Sequence, residues 1–517
     1  MEKLSLGIEL GSTTIKAVLI DENFKTIASG SYDWENKLEN GYWTYDLADA
    51  LKGLSAAYMS LKANYKEKTG LVLKHLDSLG ISGMMHGFLP FDKNDNLLCP
   101  FRTWRNTTTP EAAKELSEAF NFNIPQRWSV AHLYQAILNG ESYINDISYI
   151  TTLSVYVHKM LTGKLCVGIG EASGMFPIDS EIKNWDKEKI EVLNKKLSDK
   201  NIPYKAEEIL PEVLVAGENA GYLTKEGALL LDPEGDLKSG IPMCPPEGDA
   251  GTGMVATNSV LPTTGNVSAG TSIFAMVVLK EAIKNVYEEI DIVTTPDGAP
   301  VGMVHCNNCT SDLNAWANML SQFTGGEKSR NKVLDQIFDA ALSSNDKDAG
   351  GVISYNYLSG EHISGVKEGR PMLLRTPDSK FTFENFSRSL VFSAVATLRY
   401  GMNFLFDKEN VEITRLTGHG GLFKAGDSGR ILMAAALKSP VSVTETAAQG
   451  GAWGMAVLSA YLLNNKESLA DFLEKKVFIN AEILTSLPDE TEAKGFEAYL
   501  EKYLSSLETE RNAYKYL

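Results

Sequence analysis

An α/β fold in two similar large domains is predicted from three observations. A strand–turn–strand pattern lies at Gly7–Val18, a second copy follows at Gly265–Val277, and 517 residues are too many for one core. In the first copy, Gly7-Ile-Glu-Leu-Gly-Ser-Thr-Thr-Ile-Lys-Ala-Val18, an apolar strand breaks at Gly11 and resumes through Ala17, Val18, Leu19 and Ile20. Gly11, Ser12, Thr13 and Thr14 make a turn whose N–H groups and hydroxyls converge on one concavity, which suits a phosphate chain. Glu9 stands just before it, where a carboxylate can hold Mg²⁺ directly or through water. No Gly-Lys-Ser/Thr follows and the next element is a strand, so this is not a Walker loop. Taken singly the segment also reads as an ordinary β-hairpin. The repeat, with Gly270, Thr271 and Ser272 at its turn, favours duplicated domains that face each other across a nucleotide.

Composition narrows the function classes. A hydrophobic content of 44% and a charged content of 22% are those of a globular protein. The net charge of −17 argues against nucleic acid or an anionic membrane as partner. No signal peptide is read at Met-Glu-Lys-Leu-Ser, and apolar runs such as Ala452–Leu463 fall short of the ~20 residues of a membrane helix. Five cysteines do not make a disulfide framework, and a cytoplasmic location is expected. Cys306-Asn-Asn-Cys309 is a lone Cys-x-x-Cys pair beside His305, read as incidental rather than as a metal or redox site.

The remaining elements follow in order. Lys25–Ser31 reads as a third strand of a meander, Leu47–Ala63 as a helix by its apolar spacing, and Leu76–Met84 as a strand. That strand ends in Gly83-Met-Met-His-Gly87, and α/β sheets present ligand-contacting residues at such ends. Met85 and His86 are therefore candidate substrate contacts, His86 as a hydrogen-bonding group and otherwise as a structural histidine. A hairpin through Asp92–Asn96 leads to Trp104, Arg105 and Asn106, with Trp104 an apolar wall for a sugar face or a core residue. Asn123–Ile150 reads as mostly helical, with His132 and His158 as packing or surface histidines, and Asp186–Asp199 as a solvated helix. In Pro245-Pro-Glu-Gly-Asp-Ala-Gly-Thr-Gly253, glycines allow close backbone approach and Asp249 opens a helix, as a catalytic base or as its N-cap. Phe386–Phe404 reads as a buried helix, Arg415–Gly421 as a strand emptying into glycines, and Asn480–Leu517 as a charged amphipathic tail.

With its two hairpins the chain resembles the sugar-kinase, actin and heat-shock chaperone superfamily, and more narrowly the FGGY carbohydrate kinases. The resemblance implies two duplicated ribonuclease H-like domains of the actin-like ATPase fold, residues 1–256 and 257–517, with an ATP cleft between them. It implies ATP and Mg²⁺ as cofactors. ATP contacts are implied at Gly11, Ser12, Thr13, Thr14 and Lys16, at Gly270, Thr271 and Ser272, and at Gly420 and Gly421 for the adenosine, with Glu9 toward the metal. Asp249 matches the family's catalytic base, and Met85, His86, Trp104, Arg105 and Asn106 its substrate segments. Met-His-Gly is similar to the xylulose kinases, whereas Trp104-Arg-Asn-Thr-Thr108 departs from the family's Trp-x-Asp-x-Arg. Glu171-Ala-Ser-Gly174 resembles a structural family turn, and Arg430–Val441 with Glu445 and Gln449–Ala452 resembles its C-terminal signature.

The expected activity is ATP-dependent phosphorylation of a small neutral sugar, a ketopentose such as xylulose first. Ribulose, gluconate and other polyols are the alternatives, and a homodimer is left open. A rival from another class also stands: the first hairpin is close to the ATPase activators of 2-hydroxyacyl-CoA dehydratases, although chain length, Met-His-Gly and Asp249 are not features such an activator needs.

Overall fold

The structure is a computed structural model, and it describes residues 3–424, 426–444 and 450–517. Glu445 and Gln449 of the C-terminal signature lie outside the described residues. The chain forms two compact units: Met1–Val260 with Ile292–Val301 and Gln449–Asn480, and Leu261–Asp291 with Gly302–Ala448 and Ala481–Leu517. Two segments of the second half of the chain, Ile292–Val301 and Gln449–Asn480, pack with the first unit.

In the first unit a sheet runs in the order Glu247–Gly248, Ser78–Gly83, Ser5–Leu10, Thr14–Ile20, Thr26–Asp33. Ser5–Leu10 pairs antiparallel with Thr14–Ile20 and parallel with Ser78–Gly83. The helix Leu47–Thr69 starts on the Asp46 side chain, which accepts from Ala48 N–H, and stops at Gly70 in the left-handed region. It buries Ala50, Leu54, Ala57, Tyr58 and Leu61 in the same core as Leu6, Ile8, Ile15 and Leu19. The apolar helix Gly451–Leu462 lies against the strand at Gly7, where a Cβ would come within 2.2 Å of the Ala452 carbonyl oxygen. Only a residue without a side chain admits that approach.

The second unit repeats this local wiring. Thr264–Ala269 pairs antiparallel with Ile273–Val278 and parallel with Arg415–Gly420, which pairs parallel with Val441–Thr444. Ile483–Ser486 then adds an antiparallel edge strand, and Glu490–Ala513 packs as a helix. The C-terminal tail is thus part of the core. Tyr499 and Tyr503 are fully buried, the Tyr499 hydroxyl bonds to the Ser389 carbonyl at 3.2 Å, and Glu492 pairs with the buried Arg388.

The helix Phe383–Asn403, expected from the sequence as a buried helix over Phe386–Phe404, is with its continuation to Lys408 long and apolar enough to cross a membrane. With 78% of its apolar window buried inside the protein, it is a core helix. The segment expected to be mostly helical, 123–150, holds one helix at Ser129–Leu138, a single turn at Ile144–Asp146 and the start of a strand at Tyr149–Thr151. Tyr149–Thr151 pairs instead with Leu89–Phe91, so sheet pairing overrides helical spacing there. All five cysteines are free and buried.

Candidate active site

The first hairpin places its turn by its carbonyls. Trp34 donates from Nε1 to the Gly11 oxygen at 2.7 Å and from its backbone N–H to the Thr13 oxygen at 3.1 Å. The Tyr45 hydroxyl donates to the Ser12 oxygen at 2.7 Å. Every carbonyl from Gly11 to Thr13 is therefore occupied, while the N–H groups of Ser12 and Thr13 have no protein acceptor among the described residues. A concave turn presenting bare N–H groups is an anion site. The Thr14 hydroxyl is committed to Asp33 at 3.1 Å, and Lys16 is exposed, opposite Glu9 in the strand register.

The second hairpin reaches the same state by other means. Gly270 O accepts from both the N–H and the hydroxyl of Thr310, at 3.1 and 2.7 Å, and Thr271 O accepts from Cys309 N–H at 2.9 Å. The loop carrying Cys306 and Cys309 is a brace for this turn. Buried Glu361 holds it, accepting from Asn307 and Asn308 N–H at 2.7 and 3.3 Å. Burial pushes both thiols up from the ordinary cysteine value. Gly420 stands beside Ala269 in the parallel register, with φ of 100° and the Ala269 oxygen 2.4 Å from a would-be Cβ, so this position requires glycine.

Carboxylates gather in the first unit around the end of the Ser78–Gly83 strand. Gly248 caps the helix Asp249–Ala256, so Asp249 is its first residue rather than its cap. The Asp249 carboxylate accepts from Met85 N–H at 3.1 Å, and burial raises its proton affinity above the ordinary carboxylate value. Glu9 accepts from Ala452 N–H at 2.9 Å, at the N-terminus of the Gly451–Leu462 helix. Burial, and next the charge of Asp249, lift Glu9 to about 7. Two half-buried carboxylates whose charges repel are the donor set a divalent cation fits.

Two further acids were not singled out for chemistry from the sequence. Glu247 accepts from Glu171 N–H at 3.0 Å and is pushed up to about 8 by burial. Glu171 is fully buried, which raises it well above the ordinary value, and Asp249 and Glu247 add to the rise. A polar residue inside a glycine-rich run was their only signal in the sequence.

The substrate candidates divide. Met85 and His86 are buried beside the 171–174 turn, and His86 Nδ1 donates to the Gly174 oxygen at 3.2 Å. His86 has φ of 72°, in the left-handed region. Trp104 is half-buried against the core. Arg105 is exposed, its guanidinium stacked 4.0 Å over the Trp43 ring. Asn106 is buried with its amide fixed on backbone: Oδ1 accepts from Trp43 N–H at 2.8 Å, and Nδ2 donates to the Trp43 and Thr103 oxygens at 2.8 and 3.1 Å. Both its N–H donors are engaged, so none remains for a sugar hydroxyl.

The N-terminal domain of the FGGY family of carbohydrate kinases matches residues 4–255, and its C-terminal domain matches residues 265–463. The chain belongs to the FGGY family of carbohydrate kinases. This FGGY kinase is 23% identical to the xylulose kinase of Haemophilus influenzae over 97% of its own length and 99% of the relative's. Two solved structures share its fold: the xylulose kinase of Lactobacillus acidophilus (TM-score 0.80, 16% identity, 99% of both chains) and the gluconate kinase of the same organism (TM-score 0.80, 16% identity, 100% and 99%). The fold is accordingly the mixed α/β, actin-like ATPase fold of these sugar kinases, and kinases of the family use ATP, usually with Mg²⁺.

Proposed function

We propose that this FGGY kinase transfers the γ-phosphoryl group of ATP to a terminal hydroxyl of a neutral ketopentose, xylulose first and ribulose second. The observation that carries this reading is the Asp249 carboxylate, held by the Met85 N–H beside buried His86 and kept basic by its surroundings. Asp249 accepts the hydroxyl proton as that oxygen bonds to the γ-phosphorus, and the bond to the bridging oxygen breaks to leave ADP. The bare N–H groups of Ser12 and Thr13 hold phosphate oxygens, and so do those at Thr271 and Ser272. Glu9 would hold Mg²⁺, through water where its own reach falls short, and the ion when bound offsets phosphate charge. Xylulose is favoured by the names of the relatives and by the small number of cations at the candidate site.

Gluconate is the second reading, favoured by exposed Arg105, whose guanidinium can clamp a carboxylate. ADP release measured with xylulose, ribulose, glycerol and gluconate separates the two. A pentulose is expected to be the best acceptor. Gluconate as best acceptor, with its use abolished by Arg105→Met, would overturn the pentulose reading.

A further inference from the structure

The segment between the first hairpin and the sugar-side residues links two candidate sites inside one unit. Trp34 and Tyr45 are almost completely buried, with rings 4.3 Å apart, and both donate into the phosphate turn. Asn36 steadies the Tyr45 oxygen from 3.5 Å. Two residues before Tyr45, the backbone of Trp43 is gripped on both sides by the Asn106 amide, and the Trp43 ring carries the Arg105 guanidinium. A continuous chain of contacts therefore runs from the 103–106 segment through Trp43 and Tyr45 to Ser12. Its polar ends are part-buried hydrogen bonds, which cost stability and geometry to leave unmade.

We propose that Trp34, Tyr45 and Asn106 are positioning residues for the nucleotide. Trp34 and Tyr45 occupy the turn's carbonyls so that its N–H groups face the phosphates, and Asn106 anchors that brace to the sugar-side segment. Were the carbonyls free, the turn could rotate a peptide and present oxygen to an anion. Tyr45 thus acts on nucleotide affinity without touching the nucleotide. Asn106, expected from the sequence to meet the sugar, acts on the phosphate turn instead. This rests on the reading of Gly11–Thr14 as a phosphate site.

The test is calorimetric binding of a non-hydrolysable MgATP analogue in the absence of sugar, with melting temperature and sugar KM measured on the same proteins. Tyr45→Phe keeps the ring on Trp34 and removes one donor, so affinity should fall roughly three- to tenfold with sugar KM unchanged and melting temperature lowered by only about a few degrees. Asn106→Ala should also weaken analogue binding, which loss of a sugar contact would not do. Gly11→Val, which alters the turn itself, serves as the reference. Loss of affinity in Gly11→Val with unchanged affinity in Tyr45→Phe and Asn106→Ala would overturn the brace and leave the phosphate turn standing. Unchanged affinity in all three would overturn the phosphate turn as well.

Discussion

Among the described residues the N–H groups of Ser12 and Thr13 and those of Thr271 and Ser272 all lack a protein acceptor, yet one turn is braced mainly by side chains and the other mainly by backbone. At Gly11–Thr13 the donors are the Trp34 indole, the Tyr45 hydroxyl and one backbone N–H, all from residues after the meander. At Gly270–Thr271 they are the N–H groups of Cys309 and Thr310, with one threonine hydroxyl added, at the start of a helix. The hairpins also differ in charge. Counting back from each glycine, Glu9 is matched by Ser268, and counting forward Lys16 is matched by Ala275. A turn conformation can thus be held by two unrelated sets of donors, whereas the carboxylates suited to proton transfer and metal belong to the first unit.

The largest effect expected from that asymmetry is at Asp249. Asp249→Asn should reduce sugar-dependent ADP release by roughly two to four orders of magnitude while leaving binding of the ATP analogue intact. Ordinary turnover in this variant would remove the chemical distinction between the units.

Next come the two turn glycines. A Cβ on Gly11 would lie 2.9 Å from the Thr14 oxygen, whereas on Gly270 it would meet nothing within 4 Å. Gly11→Ala should lower stability by about 1–3 kcal/mol and weaken nucleotide binding together. Gly270→Ala should leave the melting temperature alone and raise the KM for ATP on the order of tenfold, because only an approaching ligand would meet the methyl. An unchanged KM in Gly270→Ala would mean that the second turn does not approach phosphate.

A smaller difference concerns the buried acids that hold neighbouring backbone, Glu247 in the first unit and Glu361 in the second. Unfolded, each loses its proton near the ordinary glutamate value of 4.5; folded, Glu247 keeps it to about 8 and Glu361 to about 7. The folded state binds the extra proton inside those windows. The associated stability is complete below the unfolded value and is lost as pH rises through the folded one. Glutamine has no proton to lose. Glu247→Gln should therefore gain on the unsubstituted protein between pH 5 and 8, by at most about 1.4 kcal/mol per pH unit, and Glu361→Gln over a narrower range. Melting curves across pH would reveal the gain, and parallel pH profiles would show that the acids titrate normally.

The smallest effect is expected at Cys309, whose backbone and not its thiol braces the turn. Cys309→Ala should cost about 1 kcal/mol of stability for the lost burial and leave the KM for ATP unchanged. A large rise in that KM would show that the second brace, too, depends on its side chain.

Local signals in the sequence were sufficient for much of this. Alternation and a glycine break mark both hairpins, helical spacing marks the helix read over Leu47–Ala63 (which runs on to Thr69), and a proline- and glycine-rich run isolates Asp249 at the head of its helix. Each depends on residues within a few positions of one another, so propensity and period suffice. The C-terminal tail carried a helical period too, but its polar positions concealed that Tyr499, Tyr503 and Glu492 would complete a core.

The sequence by itself determined the α/β class, the paired glycine turns and the acid after the glycine, because these are short-range patterns under steric control. Only the tertiary structure decided that Trp34 and Tyr45 reach back to the turn and that the Asn106 amide clamps the Trp43 backbone. It alone also placed 292–301 and 449–480 with the first unit. Those outcomes depend on which distant segments pack together. A side chain's partners across 33 or 63 positions are set by the burial of the whole unit, which no local period encodes.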